Sequence, residues 1–304
     1  MKRTALSLFA GAILLLAPAA QATLEQGLAA YRKGDYVAAL KLWQPLAEKG
    51  NADAQNNLGV LYEKGQGVER NYVESVNWYR RAAEQNHAQA QNNLGVMYEK
   101  GLGVKPDAAE AAGWYLKAAQ RGNPNAQNNL GVLYFSGRGV SRDYGQAMQW
   151  YRRAAAQNNT NAMNNIGVLH ERGLGVPQNY NEAAQWYRRA AERGQPQAQN
   201  NLGVLYEKGL GVPADLAVAV NWYRSAADQG HAQAQNNLGV LYASGRGVSA
   251  DMAQAYVWFS LAAARGNLDA ANNREAADRR LTPEQRDQAR KAVQEWKPRL
   301  VAGH

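Results

Sequence analysis

Ala54-Gln55-Asn56-Asn57-Leu58-Gly59-Val60-Leu61-Tyr62-Glu63-Lys64-Gly65 decides the fold, because the chain keeps returning to it. The paired asparagines come back at Asn92/Asn93, Asn128/Asn129, Asn164/Asn165, Asn200/Asn201 and Asn236/Asn237, every step being 36 residues, and a degenerate pair at Asn272/Asn273 closes the series. Self-similarity at a fixed period of this size marks a stack of identical supersecondary units, each too small to bury its own apolar face.

Each unit reads as helix, glycine loop, helix. At about 100° per residue, Ala54, Leu58, Leu61 and Tyr62 fall within one core-facing arc. Gly65 supplies a left-handed C-cap, and Gly65-Gln66-Gly67-Val68 turns the chain. The second helix opens on a hydrogen-bonding cap in every unit, Asn71, Asp107, Asp143, Asn179, Asp215 and Asp251. A Glu or Gln three residues on, such as Glu74, Glu110 or Gln146, completes a capping-box pattern that Val218 breaks. A tryptophan column follows at Trp78, Trp114, Trp150, Trp186, Trp222 and Trp258, and is expected to be core that locks adjacent hairpins.

Ala-x-x-x-Leu-Gly-x-x-Tyr, then Gly-x-Gly-Val, then Trp-Tyr and Ala-Ala before Gly or Asn, resembles the Sel1-like repeat, a relative of the tetratricopeptide repeat. Six full units match from Ala52 to Asn267. The resemblance implies an all-α, right-handed superhelical solenoid with first helices on the concave side. It also implies a protein-binding scaffold rather than an enzyme, and several exported bacterial members act as adaptors or regulators in the cell envelope.

The flanks read as caps. Residues 23–51 look like a plain tetratricopeptide hairpin, with Gly34 ending its first helix and Trp43 standing where later units carry Trp78. Residues 268–304 replace the Leu-Gly pair with Arg274-Glu275, then start a closing helix at Thr282-Pro283-Glu284-Gln285. Met1-Lys2-Arg3, the apolar run Ala5 to Ala17 and the small residues Ala20 and Ala22 read as a secretory signal over residues 1–22, cut between Ala22 and Thr23. The run is shorter than the roughly 20 apolar residues of a membrane span. The mature chain is therefore expected to be periplasmic or secreted, with no integral membrane segment.

The 304-residue chain has no cysteine, which excludes thiol catalysis, thiolate metal sites and disulfide staples. Its net charge of +9 favours anionic partners or acidic proteins, while export argues against nucleic acid. His87 and His231 share one loop position, and His170 stands where other units carry tyrosine, with no second histidine at zinc-binding spacing. The Gly-x-Gly loops follow helices, not strands, and so lack the dinucleotide-binding context. No catalytic residue, cofactor or metal site is implied.

The asparagines are the remaining signal, because asparagine inside a helix competes for backbone groups and is intrinsically unfavourable. In one reading, one member of each pair bridges to a neighbouring unit. In the other, all twelve, Asn56, Asn57, Asn92, Asn93, Asn128, Asn129, Asn164, Asn165, Asn200, Asn201, Asn236 and Asn237, clamp the backbone of an extended peptide in the groove, the first of each pair facing it. Related superhelical tetratricopeptide proteins use concave asparagines in that way. Phe135-Ser136 and Ala243-Ser244 replace charged pairs and would add apolar spots to the groove. The rival function is docking on lipid headgroups or another anionic polymer through a convex stripe, Arg80-Arg81, Arg152-Arg153 and Arg188-Arg189.

The leader carries its own test. N-terminal sequencing of the protein recovered from the exported fraction should begin at Thr23; a product beginning at Met1 would contradict export.

Overall fold

Every asparagine-bearing stretch is a helix, and every stretch after its glycine loop is another. The computed structural model describes residues 7–299, with side chains from residue 20. The basic lead at Met1-Lys2-Arg3 and the side chains of the apolar run lie outside the described residues. Sixteen helices and no strand occur among the described residues. They are α1 (Ser7–Arg32), α2 (Tyr36–Glu48), α3 (Ala52–Lys64), α4 (Tyr72–Glu84), α5 (Ala88–Lys100), α6 (Ala108–Gln120), α7 (Pro124–Ser136), α8 (Tyr144–Ala156), α9 (Thr160–Arg172), α10 (Tyr180–Ala191), α11 (Pro196–Lys208), α12 (Leu216–Asp228), α13 (Ala232–Ser244), α14 (Met252–Ala263), α15 (Leu268–Asp278) and α16 (Pro283–Glu295). Within each unit consecutive helices pair, as α3 with α4, α5 with α6, α9 with α10, α11 with α12 and α13 with α14, the architecture of an all-α repeat solenoid. Two compact units divide the chain, residues 1–150 and 151–304.

The pairing rests on a close approach. Leu58 and Leu61 are buried as expected, but Gly59, between Leu58 and Val60, sets the geometry. A Cβ there would lie 2.5 Å from the Tyr79 ring, so only glycine lets the tyrosine of α4 rest on the backbone of α3. The same contact recurs at Gly95 on Tyr115, Gly167 on Tyr187, Gly203 on Tyr223 and Gly239 on Phe259. These tyrosines are fully buried.

That finding corrects the tryptophan column. Tyr79 and its equivalents are the locked core, whereas Trp78, Trp114, Trp186 and Trp222 are half-buried at its edge; Trp150 and Trp258 are buried in the core as expected. Trp43 belongs to the tyrosine column: it sits on Gly27, is 2% exposed, and its Nε1 donates to the Leu24 carbonyl at 3.3 Å. One residue of register explains the shift, since 43 + 36 = 79.

Loop and cap chemistry follow the sequence. Gly65 takes φ 66° and its N–H bonds the Leu61 carbonyl. The second loop glycine does more, because a Cβ on Gly139 would lie 2.2 Å from the Ala108 carbonyl, where the loop touches the start of the preceding hairpin's second helix. The Asn71 and Asp107 side chains cap α4 and α6. A full reciprocal capping box forms in α16, where Thr282 and Gln285 exchange bonds.

Four of the buried tyrosines also donate to a first-helix glutamate: Tyr79 to Glu63 at 2.6 Å, Tyr115 to Glu99 at 2.7 Å, Tyr187 to Glu171, and Tyr223 to Glu207 at 2.7 Å; Tyr151 is buried without one. Burial first, and then the glutamate partner, push all four phenols well above their ordinary range. The folded chain therefore keeps its protons at pH values where the unfolded chain releases them. Stability from this source is complete below about pH 10 and is lost as pH rises, by about 1.4 kcal/mol per tyrosine per pH unit. Denaturant titrations at pH 9, 10 and 11 should show this steep alkaline loss, and replacing all four tyrosines by phenylalanine should make it much shallower, leaving the share of buried Tyr151. An equally steep fall in the phenylalanine variant would contradict the assignment.

Candidate protein-interaction surface

On the wheel of each first helix, the two asparagines lie about 100° apart and straddle the valine of the Gly-Val pair. The structure gives the two columns different jobs. Asn56, Asn92, Asn128, Asn164, Asn200 and Asn236 are 4–9% exposed. In residues 1–150, Asn93 Nδ2 donates to Asn56 Oδ1 at 3.2 Å and Asn129 Nδ2 to Asn92 Oδ1 at 3.1 Å. In residues 151–304, Asn201 donates to Asn164 at 3.0 Å, Asn237 to Asn200 at 3.1 Å and Asn273 to Asn236 at 3.0 Å. The expectation that the first asparagine faces the groove and no neighbouring helix is therefore corrected. It is buried, and its carbonyl receives the next repeat.

The second column, Asn57, Asn93, Asn129, Asn165, Asn201 and Asn237, is half-buried at the surface. Its carbonyl oxygens are also occupied, since Gln89 donates to Asn93 at 2.9 Å, Gln197 to Asn201 at 2.9 Å and Gln233 to Asn237 at 3.0 Å. A carboxamide has two N–H donors. Asn93 and Asn237 each spend one on the inter-repeat bond, which leaves each a second N–H, whereas Asn201 also hydrogen-bonds the Tyr187 hydroxyl.

A second amide ladder, absent from the sequence reading, runs deeper. Gln55, Gln91, Gln127, Gln199 and Gln235 are buried and donate to the Ala47, Ala83, Ala119, Ala191 and Ala227 carbonyls at 2.9–3.1 Å. These carbonyls belong to the ends of preceding helices, which would otherwise be left short of partners. The signal was present as an invariant Ala-Gln before Asn-Asn in most units, with Met163 as the exception.

The two apolar spots differ. Phe135 is half-buried and packs edge-on against Tyr144, 5.5 Å between ring centres, so it is already partnered. At the sixth unit, Ala243 replaces the glutamate and Phe259 the tyrosine, removing a polar pair together. An apolar cleft of about 270 Å³ results, lined by Val240, Ala243, Met252, Phe259, Ala276 and Ala277 among others.

The arginine stripe is largely committed internally. Arg80 donates to the Tyr98 hydroxyl at 2.9 Å and Arg188 to Tyr206 at 2.6 Å. Arg81 lies 4.6 Å over the Trp78 ring and Arg189 4.6 Å over Trp186, cation–π contacts that hold the half-buried tryptophans. Of the histidines, His87 and His231 cap α5 and α13 through Nδ1, and His87 Nε2 meets Asp53 at 3.1 Å. His170 is buried, its pKa lowered by desolvation, with Nδ1 unpartnered.

The comparisons agree with this geometry. The Sel1 repeat pattern matches residues 12–51, 52–87, 88–123, 124–159, 160–195, 196–231 and 232–267. The first of these matches covers the whole stretch read above as a capping hairpin, residues 23–51. No curated protein matches the chain. Among solved structures, a Sel1 repeat protein from Oxalobacter formigenes is 36% identical, covering 79% of this chain and 96% of its own, with a TM-score of 0.75. A protective antigen present in uropathogenic Escherichia coli strains, with an SLR fold, is 30% identical over 91% of this chain and 76% of its own, with a TM-score of 0.41. Seven consecutive matches and the Oxalobacter relative make this chain a member of the Sel1 repeat family, whose proteins are generally non-catalytic scaffolds for protein interaction.

Proposed function

We propose that the chain is an exported, non-enzymatic scaffold that binds an extended segment of a partner protein along its first helices, in cell-envelope assembly or regulation. The observation that carries this reading is the row of half-buried second asparagines, of which Asn93 and Asn237 each hold one N–H beyond the inter-repeat bond. Such donors suit the backbone carbonyls of an extended peptide, whatever its side chains are. The apolar cleft at Ala243 and Phe259 would take one apolar side chain of the same segment. The first asparagines act as positioning groups, since their carbonyls fix the orientation of the donors. Export rests on the leader pattern at residues 1–22, and peripheral contact with the envelope is compatible with it.

A single hydrogen bond nets only about 0.5–1.5 kcal/mol, and ordering a peptide costs about 1–2 kcal/mol per residue. Several rungs must therefore act together, and neutral contacts should depend weakly on salt. The test takes a partner crosslinked in the exported fraction and measures its affinity for the parent chain, for N93A/N237A and for A243W. The asparagine variant should bind about 10- to 100-fold more weakly. A243W, which removes no rung, should weaken binding by filling the cleft. Unchanged affinity in both variants, or a steep loss of binding between 50 and 300 mM salt in the parent, would place the binding surface elsewhere.

A further inference from the structure

The places where the repeat breaks its own pattern cluster together. After the second helix most units place a glycine in the left-handed region, as at Gly122 and Gly194, but two place asparagine there: Asn86 at φ 67° and Asn158 at φ 64°. They are 72 residues apart, two repeats. One repeat further on, these same two positions face Arg121 and Arg193. Elsewhere that column holds an inward-turned glutamine, Gln85 donating to Gln55 Oε1 at 2.7 Å and Gln229 to Gln199 Oε1 at 2.8 Å. A third arginine in the column, Arg265, is covered by the Trp296 ring at 4.6 Å.

Turning Arg121 outward has a visible cost. Gln91, 1% exposed, loses the donor that Gln55 and Gln199 have, and its Oε1 is left buried and unpartnered, as is that of Gln235 opposite Arg265. At the second place Met163 stands in the glutamine column, so nothing is orphaned there. One turn before each arginine another cation lies on a tryptophan face, Lys117 at 3.9 Å over Trp114 and Arg189 at 4.6 Å over Trp186.

The second cluster gains a third cation through His170. Arginines eighteen residues before a first-helix tyrosine bond its hydroxyl, as Arg80, Arg188 and Arg224 do with Tyr98, Tyr206 and Tyr242. His170 replaces that tyrosine, and Arg152 instead lines a cleft of about 380 Å³ with Arg189, Arg193 and Asn158. Within it Arg193 Nη2 donates to Asn158 Oδ1 at 3.4 Å. The matching cleft of about 320 Å³ is lined by Asn86, Lys117, Gln120 and Arg121. No carboxylate lines either cleft. Cations near a helix C-terminus are favoured by the helix dipole, but that accounts for neither the orphaned Gln91 nor the released Arg152.

We infer that these clefts are twin oxyanion sites, each taking a phosphate group between an outward arginine and the cation stacked on tryptophan. Guanidinium forks match phosphate oxygens bidentately, and a group with three or four acceptor oxygens and up to two charges suits two or three cations better than a lone carboxylate.

The test follows the indole N–H signals of Trp114 and Trp186 in the mature full-length chain as inorganic phosphate replaces chloride at constant ionic strength. R121Q and R193Q install the residue other repeats carry, so the fold is kept. Both signals should move saturably. R121Q should weaken the Trp114 response at least 10-fold while leaving Trp186, and R193Q should do the reverse. R121Q should also raise the melting temperature, because it gives Gln91 its partner. Cosedimentation with phosphatidylcholine/phosphatidylglycerol vesicles that the double variant loses would identify lipid as the source of the phosphate. Phosphate binding without cosedimentation would identify a soluble phosphate. Responses that do not saturate, that survive both variants, or that tetraglutamate produces at lower concentration than phosphate would overturn the proposal.

Discussion

Everything in this fold depends on how closely an aromatic ring can approach a helix backbone. Glycine inside a helix costs about 1 kcal/mol relative to alanine, and this chain accepts that cost in each hairpin where the contact is seen. The return is a fully buried tyrosine or phenylalanine lying where a Cβ would be, 2.5–2.7 Å from the ring atoms. With the ring seated there, its hydroxyl reaches the first-helix glutamate, and the half-buried tryptophan beside it is left at the surface to carry a cation.

From that fixed hairpin the amides join one repeat to the next. The inner glutamines tie each first helix to the carbonyls that end the preceding helix, and the paired asparagines link first helix to first helix. A helix-interior asparagine is unfavourable alone, yet a row of them at one period satisfies itself, each carbonyl meeting the next amide. The surface that results is polar, ordered and close to saturated. Its remaining N–H groups and the one apolar cleft are what a partner can use.

Much of this was legible in the sequence. A strict 36-residue period, glycine loops and capping residues set the helices and their ends, because these are local rules written in local residues. The candidate surface was legible only in part. Asn56 and Asn57 were singled out as a pair, but which of them turns inward depends on contact with the neighbouring repeat, and the helical wheel separates them by only about 100°. The tryptophan was taken for core because it is the largest apolar residue in the second helix. Its neighbour Tyr79 won that place because glycine, not leucine, lies opposite it, a pairing between helices that periodicity within one helix cannot express. The exchange of Glu63 and Tyr79 for Ala243 and Phe259 was half visible: Ala243 was noticed, and the matching loss of the hydroxyl was not.

The central claim is that the glycine exists for the ring. A double-mutant cycle on Gly95 and Tyr115 tests it most directly, with unfolding free energies measured for G95A, Y115A and the double variant. A Cβ on Gly95 would lie 2.6 Å from the Tyr115 ring, so G95A alone should cost about 1–3 kcal/mol despite alanine's better helix propensity. In the Y115A background the same change should be neutral or stabilise by up to about 1 kcal/mol. Additive effects, with G95A equally costly whether or not the ring is present, would contradict the account.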